Sequence, residues 1–164
     1  MRPLTAEEID LVMKNSRWAT VITVQSDGRP YAIEATPFYP GSGVGFMINP
    51  RGGTWRNFLH HPFVCLKYTL TTPDLQDWLG ISCHGTGEFV HDPDAISEGW
   101  KLLENVLGYE CREKEAVWKK KPAKTPYLKI RLISKTGRCS ARPGGKLPQT
   151  LKQKIQGQTD FLSL

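Results

Sequence analysis

The stretch from residue 18 to 38 sets the tightest limit on what this chain can fold into. Trp18-Ala-Thr-Val-Ile-Thr-Val24 is dominated by β-branched residues, Ser26-Asp-Gly-Arg29 centres on Asp-Gly, and Tyr31 to Phe38 resumes in strand-like composition. Branched side chains pack well on a pleated surface, and Asp-Gly accepts the positive φ of a tight reversal, so the segment predicts a β-hairpin. Further strands are predicted over 44–48 after the turn Pro40-Gly-Ser-Gly43, over 63–70, over 78–90 and over 127–133. Gly80, Gly85 and Gly87 in the long fifth strand suggest bulges or close backbone approach. Six strands with no regular strand–helix alternation predict a mainly β fold with flanking helices, antiparallel rather than parallel. No Gly-x-Gly-x-x-Gly follows a strand, which excludes a Rossmann domain.

The helices are legible from their ends. Thr5 and Glu8 form a capping box ahead of Ile9, Val12 and Met13. Thr54 is placed to cap a short helix carrying Trp55, Phe58 and Leu59, which Pro62 stops. Asp92 caps, and Pro93 opens, a longer helix with Ile96, Trp100, Leu103 and Leu107 at helical spacing, and Gly108 ends it. Lys119 to Lys124 reads as a charged connector, and the tail from Arg142 as Pro- and Gly-rich before a short helix with Leu151 and Ile155. The 164 residues suit one domain, with a barrel core over about 17–135 and a tail over about 142–164.

Charge and cysteine usage narrow the function classes. Lys and Arg outnumber Asp and Glu by 22 to 16, with the excess late in the chain. Such a balance suits nucleic acid, an anionic membrane or a small anion, but a solvated basic surface is the simpler reading. No run of eighteen apolar residues exists, and the N-terminus has no apolar stretch before a small-residue cleavage site, so neither a bilayer span nor an export signal is expected and a cytoplasmic address follows. Cys65, Cys83, Cys111 and Cys139 have no zinc-ligand spacing, so no metal is expected, and Cys65 and Cys83, in strand-like stretches, read as core residues.

Chemistry concentrates at Met47-Ile-Asn-Pro-Arg-Gly-Gly-Thr-Trp-Arg56, where a strand ends, the chain turns Gly-rich and a helix begins. Free helix N-terminal amides, the Thr54 hydroxyl and the guanidinium groups of Arg51 and Arg56 make a suitable phosphate site. An ordinary turn with solvated arginines fits the same residues equally well. Trp55 is placed either to flank a ring or to pack in an interface.

Several ordered elements resemble the FMN-binding split-barrel superfamily, the pyridoxamine 5′-phosphate oxidase-like proteins. They are Ala19-Thr-Val-Ile-Thr23, Asp27-Gly-Arg-Pro-Tyr31, Ala35-Thr-Pro-Phe38, Val44-Gly-Phe-Met-Ile-Asn49, Phe58-Leu-His-His-Pro-Phe-Val64 and Ser82-Cys-His-Gly-Thr-Gly-Glu88. The resemblance runs from about residue 17 to 90 and returns over 127–133. It implies a six-stranded antiparallel split β-barrel forming a homodimer, with FMN at the subunit interface. Carried over by position, Ala35, Thr36 and Pro37 would flank the flavin ring, and Met47, Ile48 and Asn49 would line the adjacent strand edge. Thr54 stands where many relatives place a phosphate-binding Lys, and Gly53 where an Arg often precedes it. Arg51 and Arg56 are therefore expected to supply the positive charge from shifted positions.

The residues around 137–145 hold no counterpart of the substrate-binding residues of true pyridoxamine-phosphate oxidases, so vitamin oxidation is not implied. The resemblance points to an FMN-dependent oxidoreductase or reductase acting on a small substrate, with no assigned catalytic side chain. The alternatives are a non-catalytic carrier or sensor holding flavin, deazaflavin or haem, and a basic nucleic-acid-binding module. Haem would call on His60, His61, His84 or His91 as an axial ligand.

Overall fold

A computed structural model describes residues 1–120 and 127–160. The connector residues Lys121 and Lys124, and the side chains of Trp118 and Lys119, lie outside the described residues. Seven strands form the sheet: β1 (Arg2–Pro3), β2 (Ala19–Val24), β3 (Pro30–Ala35), β4 (Val44–Phe46), β5 (Phe63–Thr71), β6 (Trp78–Val90) and β7 (Tyr127–Cys139). They are flanked by α1 (Ala6–Asn15), α2 (Gly53–His60), α3 (Pro93–Leu107), α4 (Arg112–Lys120) and α5 (Gln149–Asp160). The strand order is β1-β7-β6-β5-β2-β3, with β4 also pairing β7 on the edge away from β6, and every pairing is antiparallel. The sheet is a split barrel that does not close. Just past β3, Phe38 forms an antiparallel bridge to Gly45 of β4.

Four expectations need correction. Seven strands are present rather than six, because the short Arg2–Pro3 pairs with Cys139 and Arg138 at the end of β7. The strand predicted over 44–48 stops at Phe46, which pairs with Leu128. The connector predicted from Lys119 is helical through Lys120, as part of α4. The strand predicted over 127–133 also runs on to Cys139, held by continuous pairing with β6.

The core lies between the sheet and the N- and C-terminal helices. In α1, Ile9, Val12 and Met13 recur at i, i+3 and i+4 and are buried. Its capping box is complete: Thr5 Oγ1 accepts from the Glu8 amide at 3.2 Å, and Glu8 Oε2 accepts from the Thr5 amide at 2.9 Å. Glu8 also receives a two-pronged guanidinium contact from Arg2 at 2.6 and 2.8 Å, and Arg2 Nε donates to the Gly145 carbonyl at 2.7 Å. The amino-terminal arm thus ties the first helix to the tail. In α5, Leu151 and Ile155 are buried one turn apart, each contributing about 1.5–3 kcal/mol by burial. Lys154 Nζ donates to the Thr71 carbonyl at 2.7 Å, and Thr150 Oγ1 to Asp77 at 2.5 Å. The tail therefore packs on its own barrel.

A second apolar cluster joins Phe38, Ile96, Trp100, Leu103, Cys111 and Tyr127, fixing α3 against the barrel. Asp92 caps α3 through the Ala95 amide at 2.8 Å, Pro93 opens it, and Gly108 ends it with φ 77°. The register shift at His84/Gly85 confirms a bulge where the glycines of β6 suggested one.

Two stability predictions follow from this packing. A Cβ on Gly45 would meet the Phe38 ring at 2.2–2.8 Å, so Gly45→Ala is expected to lower stability by about 1–3 kcal/mol in a denaturant titration. The hydrogen-bonded Arg2 guanidinium holds the Glu8 carboxyl below the usual carboxylate range. Its contribution to stability is full above the unfolded-state pKa of about 4.3 and is lost as pH falls through the lower folded-state value. Glu8→Gln should therefore destabilise the protein at pH 7 and flatten the acid limb of its stability curve, measured as Tm against pH.

Candidate functional site

Strand alternation builds the first wall of the site. In β3, Tyr31, Ile33 and Ala35 share the face whose β2 partners are Thr23, Val21 and Ala19, all buried. Because β3 is the last strand on its edge, these three border a cavity of about 840 Å³ rather than another strand. That volume lies within the roughly 300–1,000 Å³ of small-molecule sites. The turn bond from the Gln25 amide to the Arg29 carbonyl sets the hydrogen-bond phase of the hairpin. It leaves the peptide groups of Ala32 and Glu34 on the free edge. Glu34 borders the cavity by this edge, while its carboxylate accepts from Thr20 Oγ1 at 2.6 Å.

The second wall is the chain leaving β4. Met47, Ile48, Asn49 and Pro50 line the cavity and lead directly into α2, whose Gly52, Gly53 and Thr54 also line it. Asn49 shapes the bend: its Oδ1 accepts from the Arg51 amide and its carbonyl from the Gly52 amide, each at 2.9 Å. The N-cap of α2 is Gly52, not Thr54 as expected, because Thr54 already lies within the first turn, where it is buried. Gly52 supplies no capping side chain, and the first turn has no acidic residue. The helix therefore presents amide donors and the positive end of its dipole at the cavity wall. By contrast, α1 and α3 carry side-chain caps and acids in their first turns.

Gly53 is kept small by its neighbour on β3. A Cβ there would meet the Tyr31 ring at 2.8 Å, so the ring fills the space that a longer residue would need. Asn57, one turn on, anchors α2 to the barrel through Thr23 Oγ1 at 2.8 Å.

The third wall comes from α3 and α4. Trp100, Leu103 and Leu107 fall at i, i+3 and i+7 and line the cavity with Tyr109, Cys111 and Lys114. Burial raises the Cys111 thiol, against a smaller lowering by Lys114. Trp18 and Tyr109, 60% and 59% exposed, stand at the rim.

Of the residues singled out from sequence, Ala35, Thr36, Met47, Ile48, Asn49 and Thr54 line one cavity. Pro37 is buried beside them without lining it. Trp55 is stacked on Phe89, ring centroids 4.0 Å apart. Arg51 and Arg56 are exposed, and Arg56 Nη1 donates to the Arg51 carbonyl at 2.9 Å, so this guanidinium folds back over the bend. Tyr31, Ile33 and the α3–α4 residues were not anticipated. Alternation from Ala35 could have found the first two, whereas no local signal marks Lys114.

No protein-family model matches the chain, and no curated protein matches it. Its fold, however, recurs among solved structures. A conserved hypothetical protein from Mycobacterium tuberculosis matches at 19% identity over 87% of this chain and 89% of that one, with a TM-score of 0.70. A FAD-binding protein from Mesorhizobium loti matches at 19% identity over 85% and 98%, with a TM-score of 0.65. A heme binding protein from Mycobacterium smegmatis matches at 16% identity over 84% and 55%, with a TM-score of 0.63. The chain shares its split-barrel fold with these solved structures.

Proposed function

We propose that this protein is an FMN-binding flavoprotein acting as an oxidoreductase on a small substrate. The observation that carries the reading is the uncapped, acid-free N-terminus of α2 opening into a cavity with apolar walls. An anionic head group and a flat heterocycle need just these two environments side by side. The residues present fit the cofactor. The amides at Gly53 and Thr54 would hold the phosphate, with Arg51 and Arg56 adding positive field from the solvent side of the bend. Ala35, Thr36, Met47 and Ile48 would flank the ring, and the free edge at Ala32 and Glu34 offers peptide donors and acceptors to its polar rim.

When bound, FMN supplies the redox chemistry, and the chain's task is to orient the ring and exclude water from one side of it. None of the four histidines lines the cavity, which favours flavin over a histidine-ligated haem there. No helix among the described residues is long and apolar enough to cross a membrane.

The functional unit in this reading is a homodimer. On the outer sheet face, Ile22 pairs with Ala32 on one side and Cys65 on the other, and Phe63 nearby is 64% exposed. With Trp18 exposed at the cavity rim, this apolar strip suits coverage by a second copy that also roofs the cofactor.

The test is direct. Purified protein should take up FMN with one flavin per chain and run as a dimer, and the loaded protein should oxidise NADH or NADPH in the presence of an electron acceptor. Binding without turnover would reduce the reading to a carrier; a monomer that takes no FMN would overturn it. Gly52→Asp gives the sharpest variant, because Asp is a good N-cap that would occupy the amides and repel a phosphate. Its Tm should change little, since the new cap is set against a Cβ contact of 3.1 Å with the Asn49 carbonyl, while FMN affinity falls at least about ten-fold and riboflavin affinity stays as in the wild type.

A further inference from the structure

The α3–α4 wall of the cavity is left unused by the cofactor assignment. It is apolar and aromatic through Trp100, Leu103, Leu107 and Tyr109, and it carries one cation, Lys114. Among the described residues lining the cavity, Lys114 is the only basic side chain and Glu34 the only acidic one. The Glu34 carboxylate is turned to the other sheet face, bonded to Thr20.

The acids close to Lys114 in sequence are largely committed elsewhere. Glu110 is paired with Arg112 at 2.7 Å, Glu104 accepts from the Cys111 amide at 2.5 Å, and Glu115 accepts from Ser97 Oγ at 3.1 Å. Glu113 is exposed on the same helix. Cys111, one turn before Lys114, is buried, and its raised thiol is neutral at pH 7, so it does not offset the ammonium. Lys114 is exposed at the mouth of the cavity. An exposed cation beside an apolar wall, with no ion pair among the described residues, suits a ligand that has an apolar body and an anionic end.

We infer that the α3–α4 wall is a substrate subsite for small carboxylic acids with a flat apolar body, and that Lys114 reads the carboxylate. The inference rests on the flavin reading, since it leaves the α2 side of the cavity to the phosphate. Trp100 and Leu103 would bear on the body of the acid, and Tyr109 would stand over it at the rim. Lys114 is here a specificity residue: its contact is with the substrate's carboxylate and not with the reacting atoms.

The experiment uses the FMN-loaded protein with two probes of one shape, 3-phenylpropionate and 3-phenylpropionamide, followed by the flavin difference spectrum and by calorimetry. The wild type should bind the acid about two- to five-fold more tightly than the amide, as expected for one contact with an exposed lysine. Lys114→Met should abolish that preference, Lys114→Arg should keep most of it, and neither should change FMN affinity. Equal affinity for the two probes, no binding of the acid, or a preference that survives in Lys114→Met would each overturn the inference while leaving the flavin reading intact. A wild type that takes no FMN would overturn the flavin reading and the inference with it.

Discussion

The seating of the Phe38 ring on the bare backbone of Gly45 is the constraint on which the rest of the architecture depends. Phe38 is fully buried, its backbone bridges to Gly45 in both directions, and its ring meets Tyr127 edge-on with centroids 5.3 Å apart. The same ring lies against Gly99 of α3. One side chain therefore fixes where the chain leaves β3, where β4 joins β7, and how closely α3 approaches. Those are the three walls of the cavity. Close packing makes such a junction intolerant of added volume, so the position of the site is set by the core rather than by loops.

The cavity that results divides into two environments. Along β3 and the exit of β4 the lining is mostly apolar, and at the start of α2 it changes to peptide donors with no carboxylate in the first turn. An aligned helix end in a partly desolvated wall exerts more on an anion than exposed guanidinium groups do, because solvent and salt screen the latter. Exposed Arg51 and Arg56 are thus secondary to the backbone in this geometry. In the proposed reading, that ordering would let a phosphate be held without an Arg-Lys pair at positions 53 and 54: Tyr31 fills the space above Gly53, and buried Thr54 lines the same cavity.

Much of the fold was legible because its local signals agree with the tertiary outcome. The Asp27-Gly28 turn, the Thr5–Glu8 box and the Asp92-Pro93 start each have a single low-energy conformation, and each appears where expected. What escaped reading lacks such agreement. The second half of β7, Ser134 to Cys139, is polar and mostly exposed, and it is a strand because β6 offers a continuous partner. Helix α4 is so rich in charge that no apolar stripe announces it. The site divides in the same way. Ala35, Thr36, Met47, Ile48, Asn49 and Thr54 sit near readable strand ends and a helix start, whereas Tyr109, Cys111 and Lys114 reach the cavity only because α3 and α4 fold back over it.

The uncapped end of α2 also bears on stability. A side-chain cap contributes about 0.5–2 kcal/mol to a helix, and α1 and α3 both have one. α2 forgoes it at an end where Asn49 and the Arg56 guanidinium hold the bend and Asn57, one turn on, holds the helix through Thr23. A helix this short, eight residues, has little propensity of its own to offset the loss. An anion at this end would stand in for the missing cap, so that ligand binding and the order of the β4–α2 segment become the same free energy. Selection for a tight helix would favour an Asp or Ser at position 52; glycine there leaves the donors to whatever enters the cavity.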